Sequence, residues 1–275
     1  MSSSVADRLR GALLWFPVAL SKVGIVDREK GKEAFDLAAP AMVTGGMRTL
    51  LRVADFFMVS VYAGGAAVAA LELGFQYYFV PFGLALALTS GTISVVSRLK
   101  GADDHREANF AIKQSLWIAL ALSVPITLFS YYFAEEMIAV LTNDARTIAL
   151  GGEYLRVVMY SVAFRFWSMI AARALAGSGD TRTPMYVRLL TLPTNVGLNA
   201  ALIFGLGPFP ELGVAGAAWG TTAANTLAGG LFAVALLSGR YDVRLRLRGK
   251  QWDWSTAAEL VRVSLPRSEE RRVGK

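Results

Sequence analysis

The stretch LAAPAMVTGGMRTLLRVADFFMVSV, Leu37 to Val61, decides how this chain is read. It is long enough to cross a bilayer as one helix. Yet Arg48, Arg52 and Asp55 lie inside the apolar run. An ionisable side chain at membrane depth costs about 2.5–3.5 kcal/mol on insertion scales. Such residues face a bundle interior or a wet cavity and mark ion or substrate paths. Asp55 is therefore the leading candidate for a functional group.

The rest of the chain has the same character. Of its 275 residues, 54% are hydrophobic, and the mean hydropathy is +0.44. Apolar runs of about 20 residues recur, the length that a helix needs to span the hydrocarbon core. The expected class is an all-α integral membrane protein. Cysteine is absent, which excludes disulfides and thiolate metal sites. The single histidine, His105, sits in a charged connector, so a histidine metal cluster is excluded too. The formal charge of +7 is attributed to basic loops at one membrane face rather than to nucleic-acid binding.

Residues 1–32 form a charged, partly apolar leader. Its start resembles a signal peptide, but Pro17 interrupts the apolar run and a small-residue cleavage site is missing. An interfacial amphipathic helix is the expectation, with Arg8, Arg10 and Lys22 reaching for headgroups. Six spans then follow within residues 33–238. They run from about Leu37 to Val61, Val68 to Val96, Ile112 to Phe133, Gly152 to Ala176, Pro184 to Gly205 and Val214 to Leu237. The first two are joined by YAGGAA, with glycines at the turn.

Cations fall on alternate connections. The leader, the loop after span two (Arg98, Lys100, Arg106, Lys113), the loop after span four (Arg173, Arg182, Arg188) and the segment after span six (Arg240 to Lys250) are basic. The other connections hold Arg146 with Glu135, Glu136, Asp144 and Glu211. This alternation puts the N-terminus in the cytoplasm of a multi-pass protein of the cytoplasmic membrane.

Residues 239–266 are expected to be a basic linker leading into a seventh span. YDVRLRLRGKQW alternates apolar and basic residues, as a segment lying under the inner leaflet would. DWSTAAELVRVSLP carries a helix start, with Asp253 or Ser255 as the cap. Residues 267–275, RSEERRVGK, resemble one translated frame of a sequencing adapter and are left out of the functional reading.

Four stretches together resemble the multidrug and toxic compound extrusion (MATE) family. They are LAAP…VADFFMV, GLALALTSGTISVVSRLKGADD, ARALAGSGDTRTPM, and the pair PTNVGLNAALIFGLG and LGVAGAAWGTTAAN. The resemblance covers nearly everything from Glu33 to Leu237. It implies the first six-helix lobe of a two-lobe (6+6) transporter, whose second lobe is absent from this chain. Repeat-built transporters form their cavity between both halves. It further implies exchange of Na⁺ or H⁺ for an organic, cationic compound, in a membrane of lipid and without any other cofactor.

The resemblance places the coupling carboxylate at Asp55. The competing reading is an ion pair of Asp55 with Arg52, three residues earlier on the same helix face. Asn195 and Asn199 share a face at i and i+4, and Asn199 falls where many family members carry a second acid. With Asp55 they form a candidate Na⁺ site, since hard cations accept carboxylate and amide oxygens. Alternatively, the two amides only hold neighbouring helices together. Thr221 matches a family threonine, or bonds back to its own helix. Glu72 either joins the Asp55 site or reaches water at the interface. Pro193 removes a backbone donor near the two amides and is expected to kink span five.

Phe56, Phe57, Phe75, Tyr77, Tyr78 and Phe79 are packing or lipid-facing residues, or else line a cavity for planar cations. Arg48 and Arg52 depart from the family pattern. They keep open a second reading, a lipid-linked oligosaccharide flippase of the same superfamily. A third is a membrane fragment without transport activity. A membrane enzyme is set aside, because the sequence shows no nucleophile–base pair, metal cluster or phosphate loop.

Overall fold

Arg52 and Glu72 would stand about 30 Å apart on a straight helix, at 1.5 Å per residue. In the computed structural model Arg52 Nη2 lies 3.4 Å from Glu72 Oε2. Both residues belong to one long helical stretch, α1 (Arg28–Gly101). It folds back at Gly64, whose φ of 76° and ψ of −163° are open only to glycine. The expected YAGGAA connection is thus reduced to one non-helical residue.

The structure describes residues 28–246 and 248–264. The interfacial leader helix and the 267–275 tail lie outside the described residues, as does the side chain of Arg48. The chain divides into two compact units, Met1–Leu50 and Leu51–Lys275. In the first, the described part is helical from Arg28. Apart from the course of α1 itself, all that follows concerns the second.

After α1 come α2 (His105–Tyr132), the short α3 (Ala134–Ala139), α4 (Ala145–Met159), α5 (Val162–Gly177), α6 (Arg182–Phe204), α7 (Gly213–Leu237) and α8 (Trp254–Ser264). Aspartates start several of them. Asp104 accepts from Glu107 N at 3.1 Å, and Asp144 from Thr147 N at 2.8 Å. Asp180 accepts from Arg182 N and Thr183 N at 3.0 and 3.1 Å. Each carboxylate satisfies backbone donors that a helix start leaves open. Pro184 falls in the first turn of α6, where a missing N–H costs no helical bond. Gly205, left-handed at φ 65° and ψ 43°, ends that helix.

The fourth span differs from expectation. It begins at Ala145 rather than Gly152, and it is broken: α4 and α5 meet at 48°. Carbonyls at the break also accept from side-chain donors. Thr222 Oγ1 donates to Val157 O and Thr127 Oγ1 to Met159 O, each at 3.1 Å. A break at membrane depth persists only when its backbone groups are satisfied in this way.

Four described helices are long and apolar enough to cross a membrane, or five when the bent α4–α5 pair counts as one span. The first of them covers 57 residues, Gly45–Gly101. Straight, that would reach about 85 Å, far beyond a hydrocarbon core of about 30 Å. The reversal at Gly64 lets it make two passes, which accounts for the six spans expected from the sequence.

The core lies between the helices and is built on Leu155, Phe166, Ile170, Leu175, Ile203 and Leu236, all buried. α6 and α7 approach backbone to backbone. A Cβ on Gly216 would lie 2.5 Å from the Leu202 carbonyl carbon. Small residues permit such contact where apolar lipid supplies no hydrophobic drive. In the linker Val243 and Leu245 are buried while Arg244 and Arg246 are exposed, which gives the alternation a physical meaning. Leu245 N donates to Leu236 O at 2.9 Å and Arg244 N to Asn109 Oδ1 at 2.6 Å. Arg98 pairs with Glu259 at 2.5 Å, tying α8 to the end of α1. Asp253 starts α8 by accepting from Thr256 N at 3.0 Å. Lys250, with Ser255 and Thr256, holds the Asp253 carboxyl well below the usual carboxylate range.

Candidate functional site

α1, α6 and α7 bring four of the sequence candidates into one hydrogen-bonded chain. Asn199 Nδ2 donates to Asp55 Oδ1 at 2.8 Å and reaches Asn195 Oδ1 at 3.4 Å. Asn195 Nδ2 donates to Thr221 Oγ1 at 3.2 Å. The two asparagines lie one turn apart on α6, so both amides point the same way. Asp55 is on the first arm of α1 and Thr221 is on α7, so three helices meet here. Thr221 serves as an acceptor across helices, which the back-bonding alternative did not provide. α6 remains helical through Pro193.

Asn199 is fully buried, at 0% exposure. Its Oδ1 has no hydrogen-bond partner among the described residues. A buried amide oxygen left unpaired costs roughly 1–3 kcal/mol. This oxygen faces Gly220, where a Cβ would overlap it and would also lie 2.9 Å from Asn199 N. Glycine at this position is what lets the amide sit between α6 and α7.

Arg52 and Glu72 stand differently from the expectation. Arg52 does not pair with Asp55. The reversal at Gly64 supplies Glu72 instead, and the 3.4 Å pair is half-exposed, at 46% and 44%. The Arg52 guanidinium lies 4.1 Å from the Phe75 ring centroid and 5.6 Å from that of Phe56. Glu72 thus reaches Arg52 rather than the Asp55–Asn199 pair. Phe57 and Phe79 are exposed, whereas Tyr78 is buried.

A second polar cluster was not singled out from the sequence. Asn225 Nδ2, one turn past Thr221 on α7, donates to Tyr78 Oη and Ser161 Oγ at 3.0 Å each. Ser161 sits at the break between α4 and α5, and its Oγ donates to Val158 O at 2.7 Å. Tyr154 is buried on α4 with its ring against Gly74, whose added Cβ would lie 2.6 Å from Tyr154 Cδ1. An amide inside the apolar α7, four residues from Thr221, was the available signal for Asn225.

The site can do limited chemistry. It offers one carboxylate, two amide oxygens and a hydroxyl. Among the described residues, no group of three or more His, Cys, Asp or Glu could hold a metal ion. One negative charge among neutral oxygens suits a proton or a monovalent cation better than a divalent ion.

Comparison with known proteins supplies the context. The model of the MatE family matches residues 40–201. The probable multidrug resistance protein NorM of Thermotoga maritima is 29% identical over 237 residues, covering 86% of this chain and 50% of its own. A NorM homologue from Bradyrhizobium diazoefficiens is 28% identical, covering 85% of this chain and 50% of its own. Among solved structures, a MOP-superfamily transporter from Pyrococcus furiosus, described as having a binding pocket of reverse polarity, superposes with a TM-score of 0.76. It is 26% identical and covers 83% of this chain and 50% of its own. The chain spans about half the length of the curated relatives it matches.

Proposed function

Because the chain belongs to the MatE family, we propose that it forms the ion-coupling lobe of an antiporter that exports organic, cationic compounds. The transport path lies between this lobe and a second one, as in repeat-built transporters. The lobe sits in the cytoplasmic membrane with its N-terminus on the cytoplasmic side, following the distribution of cations. The observation that carries the reading is the contact between Asp55 and the fully buried Asn199.

The geometry supports a coupling mechanism. The charged Asp55 accepts the Asn199 N–H, which ties α1 to α6. A proton or a Na⁺ ion arriving at Asp55 removes the reason for that bond. Protonation turns one carboxylate oxygen from an acceptor into a donor. A Na⁺ ion instead draws oxygens toward itself, and the unpaired Asn199 Oδ1 is one amide rotation away. Either event weakens the α1–α6 tie and shifts the balance between two packings of the lobe. The same carboxylate holds a cationic substrate in the alternate state, so ion and substrate exclude each other.

The flippase reading rests on cations in the cavity. Glu72 neutralises Arg52 at 3.4 Å, which removes one of its two supports.

The test is drug efflux by the full-length protein carrying Asp55→Asn. The variant keeps an acceptor for Asn199 and loses the charge. The expected result is a folded protein whose efflux no longer responds to an imposed Na⁺ or pH gradient. Wild-type efflux by Asp55→Asn would end the coupling assignment. The gradient that drives wild-type efflux identifies the ion.

A further inference from the structure

An apolar groove of about 350 Å³ opens between α2, α5 and α7. Phe164 and Trp167 of α5 line it, with Leu116 and Leu120 of α2 on one side and Gly230 and Ala233 of α7 on the other. Leu120 and Phe164 are exposed, so the groove opens at the surface of the lobe. A Cβ on Gly230 would meet nothing within 4 Å. Among the described residues neither α1 nor α6 contributes to the lining. The groove is therefore separate from the Asp55 site, and Gly230 lies nine residues past Thr221, about 13 Å along α7.

Its position along the helices is that of one bilayer leaflet. Ala233 stands one turn before Leu237, where α7 ends. Leu116 and Leu120 stand eleven and fifteen residues past His105, where α2 starts, about 16 and 22 Å along that helix. One leaflet of a hydrocarbon core of about 30 Å is about 15 Å deep. A lipid anchored where α2 starts and α7 ends thus has its acyl chain beside the groove. The lining atoms need apolar partners, because an unfilled groove forfeits their dispersion contacts.

The two walls continue into a basic mouth. Asn109, Lys113, Leu116 and Leu120 are spaced by four, three and four residues, so they share one face of α2. Lys113 is only 4% exposed. Its Nζ donates to Gln251 Oε1 at 3.4 Å and lies 5.9 Å from the Phe110 ring centroid. The linker crosses from α7 to this face, with Leu245 N on Leu236 O and Arg244 N on Asn109 Oδ1. The Arg244 guanidinium lies 3.6 Å from where a Cβ on Gly239 would stand, just past the end of α7. Two neighbouring cations are neutralised, Lys100 by Asp242 at 3.2 Å and Lys250 by Asp253 at 2.5 Å. Among the described residues, neither Lys113 nor Arg244 has a carboxylate within ion-pair distance. A covered cation ordinarily has an anionic partner.

We propose that the groove and its basic mouth form one site for an anionic phospholipid, with an acyl chain along Trp167 and the phosphate on Arg244 and Lys113. The two ends of the site match the two parts of such a lipid. Basic pockets between membrane helices select anionic headgroups in this way. A zwitterionic headgroup would add its own cation to the two already there. The bound lipid joins α2, α7 and the linker that leads into α8, so it steadies the linker's seat. This goes beyond the transport path proposed above and does not depend on it.

The test uses the full-length protein in phosphatidylcholine nanodiscs containing phosphatidylglycerol whose acyl chains carry bromine, a contact quencher of tryptophan fluorescence. Brominated phosphatidylcholine is the reference probe. The Trp167 signal is the difference between wild type and Trp167→Phe. Half-quenching is expected at about a fivefold lower mole fraction of phosphatidylglycerol than of phosphatidylcholine, the scale of one basic residue beside an anionic lipid. Arg244→Gln is expected to remove most of this preference. Arg244 meets Asn109 through its backbone N–H, so that variant keeps the linker's seat. Lys113→Gln is expected to reduce the preference too, and the wild-type comparison holds even if this variant fails to fold. Gly230→Leu fills the groove and is expected to weaken quenching by both lipids. Arg182→Gln, at the start of α6, is the control for general surface charge and should leave the preference unchanged. Equal quenching by the two lipids, or a preference that survives Arg244→Gln and Lys113→Gln, overturns the site and leaves only unselected surrounding lipid. A loss in Arg182→Gln as large as in Arg244→Gln overturns it as well. If neither lipid quenches Trp167, another segment of the protein covers the groove, and the proposal falls.

Discussion

Asn199 and Gly220 face each other so closely that a methyl group on Gly220 would overlap Asn199 Oδ1 and stand 2.9 Å from Asn199 N. The glycine is therefore part of the Asp55 site without touching Asp55. Gly220→Ala is expected to push α6 and α7 apart and pull Asn199 off the carboxylate. Overpacking of this kind costs about 1–3 kcal/mol. Gly230, on the same helix, is the control, because its added Cβ meets nothing within 4 Å. Gly230→Ala should be neutral or stabilising by up to about 1 kcal/mol through helix propensity. Thermal unfolding of both variants in detergent decides. Equal melting temperatures would mean that the Gly220 contact is soft.

The Arg52–Glu72 pair is half-exposed, so its weight is small. Measured surface pairs contribute about 0.2–1 kcal/mol. Glu72→Gln should lower stability by no more than that and leave the Asp55–Asn199 bond in place. A larger loss would show that Glu72 holds the α1 hairpin closed. Unfolding midpoints of Glu72→Gln and Arg52→Gln, measured singly and together, give the coupling directly.

Period and composition made much of this legible. The i, i+4 spacing of Asn195 and Asn199 put both amides on one face, and the structure joins them to Asp55 and Thr221. What local spacing could not give was contact across a reversal. Arg52 and Asp55 look paired at i, i+3, yet Glu72 takes the arginine because α1 folds back at Gly64. The break at Ser161 was equally hidden. No glycine or proline marks it, and its carbonyls are satisfied by Thr222 and Thr127 from distant helices. Asn225 belongs to the same class, since its partners Tyr78 and Ser161 are 147 and 64 residues away.

Asn225 is expected to fix the bend between α4 and α5. It donates to both Tyr78 Oη and Ser161 Oγ at 3.0 Å. Asn225→Ala leaves two oxygens of the cluster without that donor, at a cost of about 1–3 kcal/mol. If the cluster acts as a unit, Ser161→Ala in the Asn225→Ala background should cost less than it does alone. A double-mutant cycle on unfolding free energies measures this, with a coupling of about 0.5–3 kcal/mol expected. Strict additivity would remove Asn225 from the bend.

The start of α4 gives a pH dependence with a definite sign. The Thr147 hydroxyl donates to Asp144 Oδ2 at 2.6 Å, and the Thr147 backbone N–H does so at 2.8 Å. These two bonds, the hydroxyl first, hold the Asp144 carboxyl below the usual carboxylate range. The fold therefore favours the charged form. Its contribution is fully present above the unfolded-state value, about 4, and is lost as pH falls through the lower folded-state value. Asp144→Asn keeps an oxygen acceptor for the helix start but does not titrate. Wild type should exceed Asp144→Asn in melting temperature by a constant margin above about pH 5, and that margin should shrink steadily below about pH 4. A margin that persists unchanged into strong acid would show that the carboxylate charge contributes nothing to the α4 start.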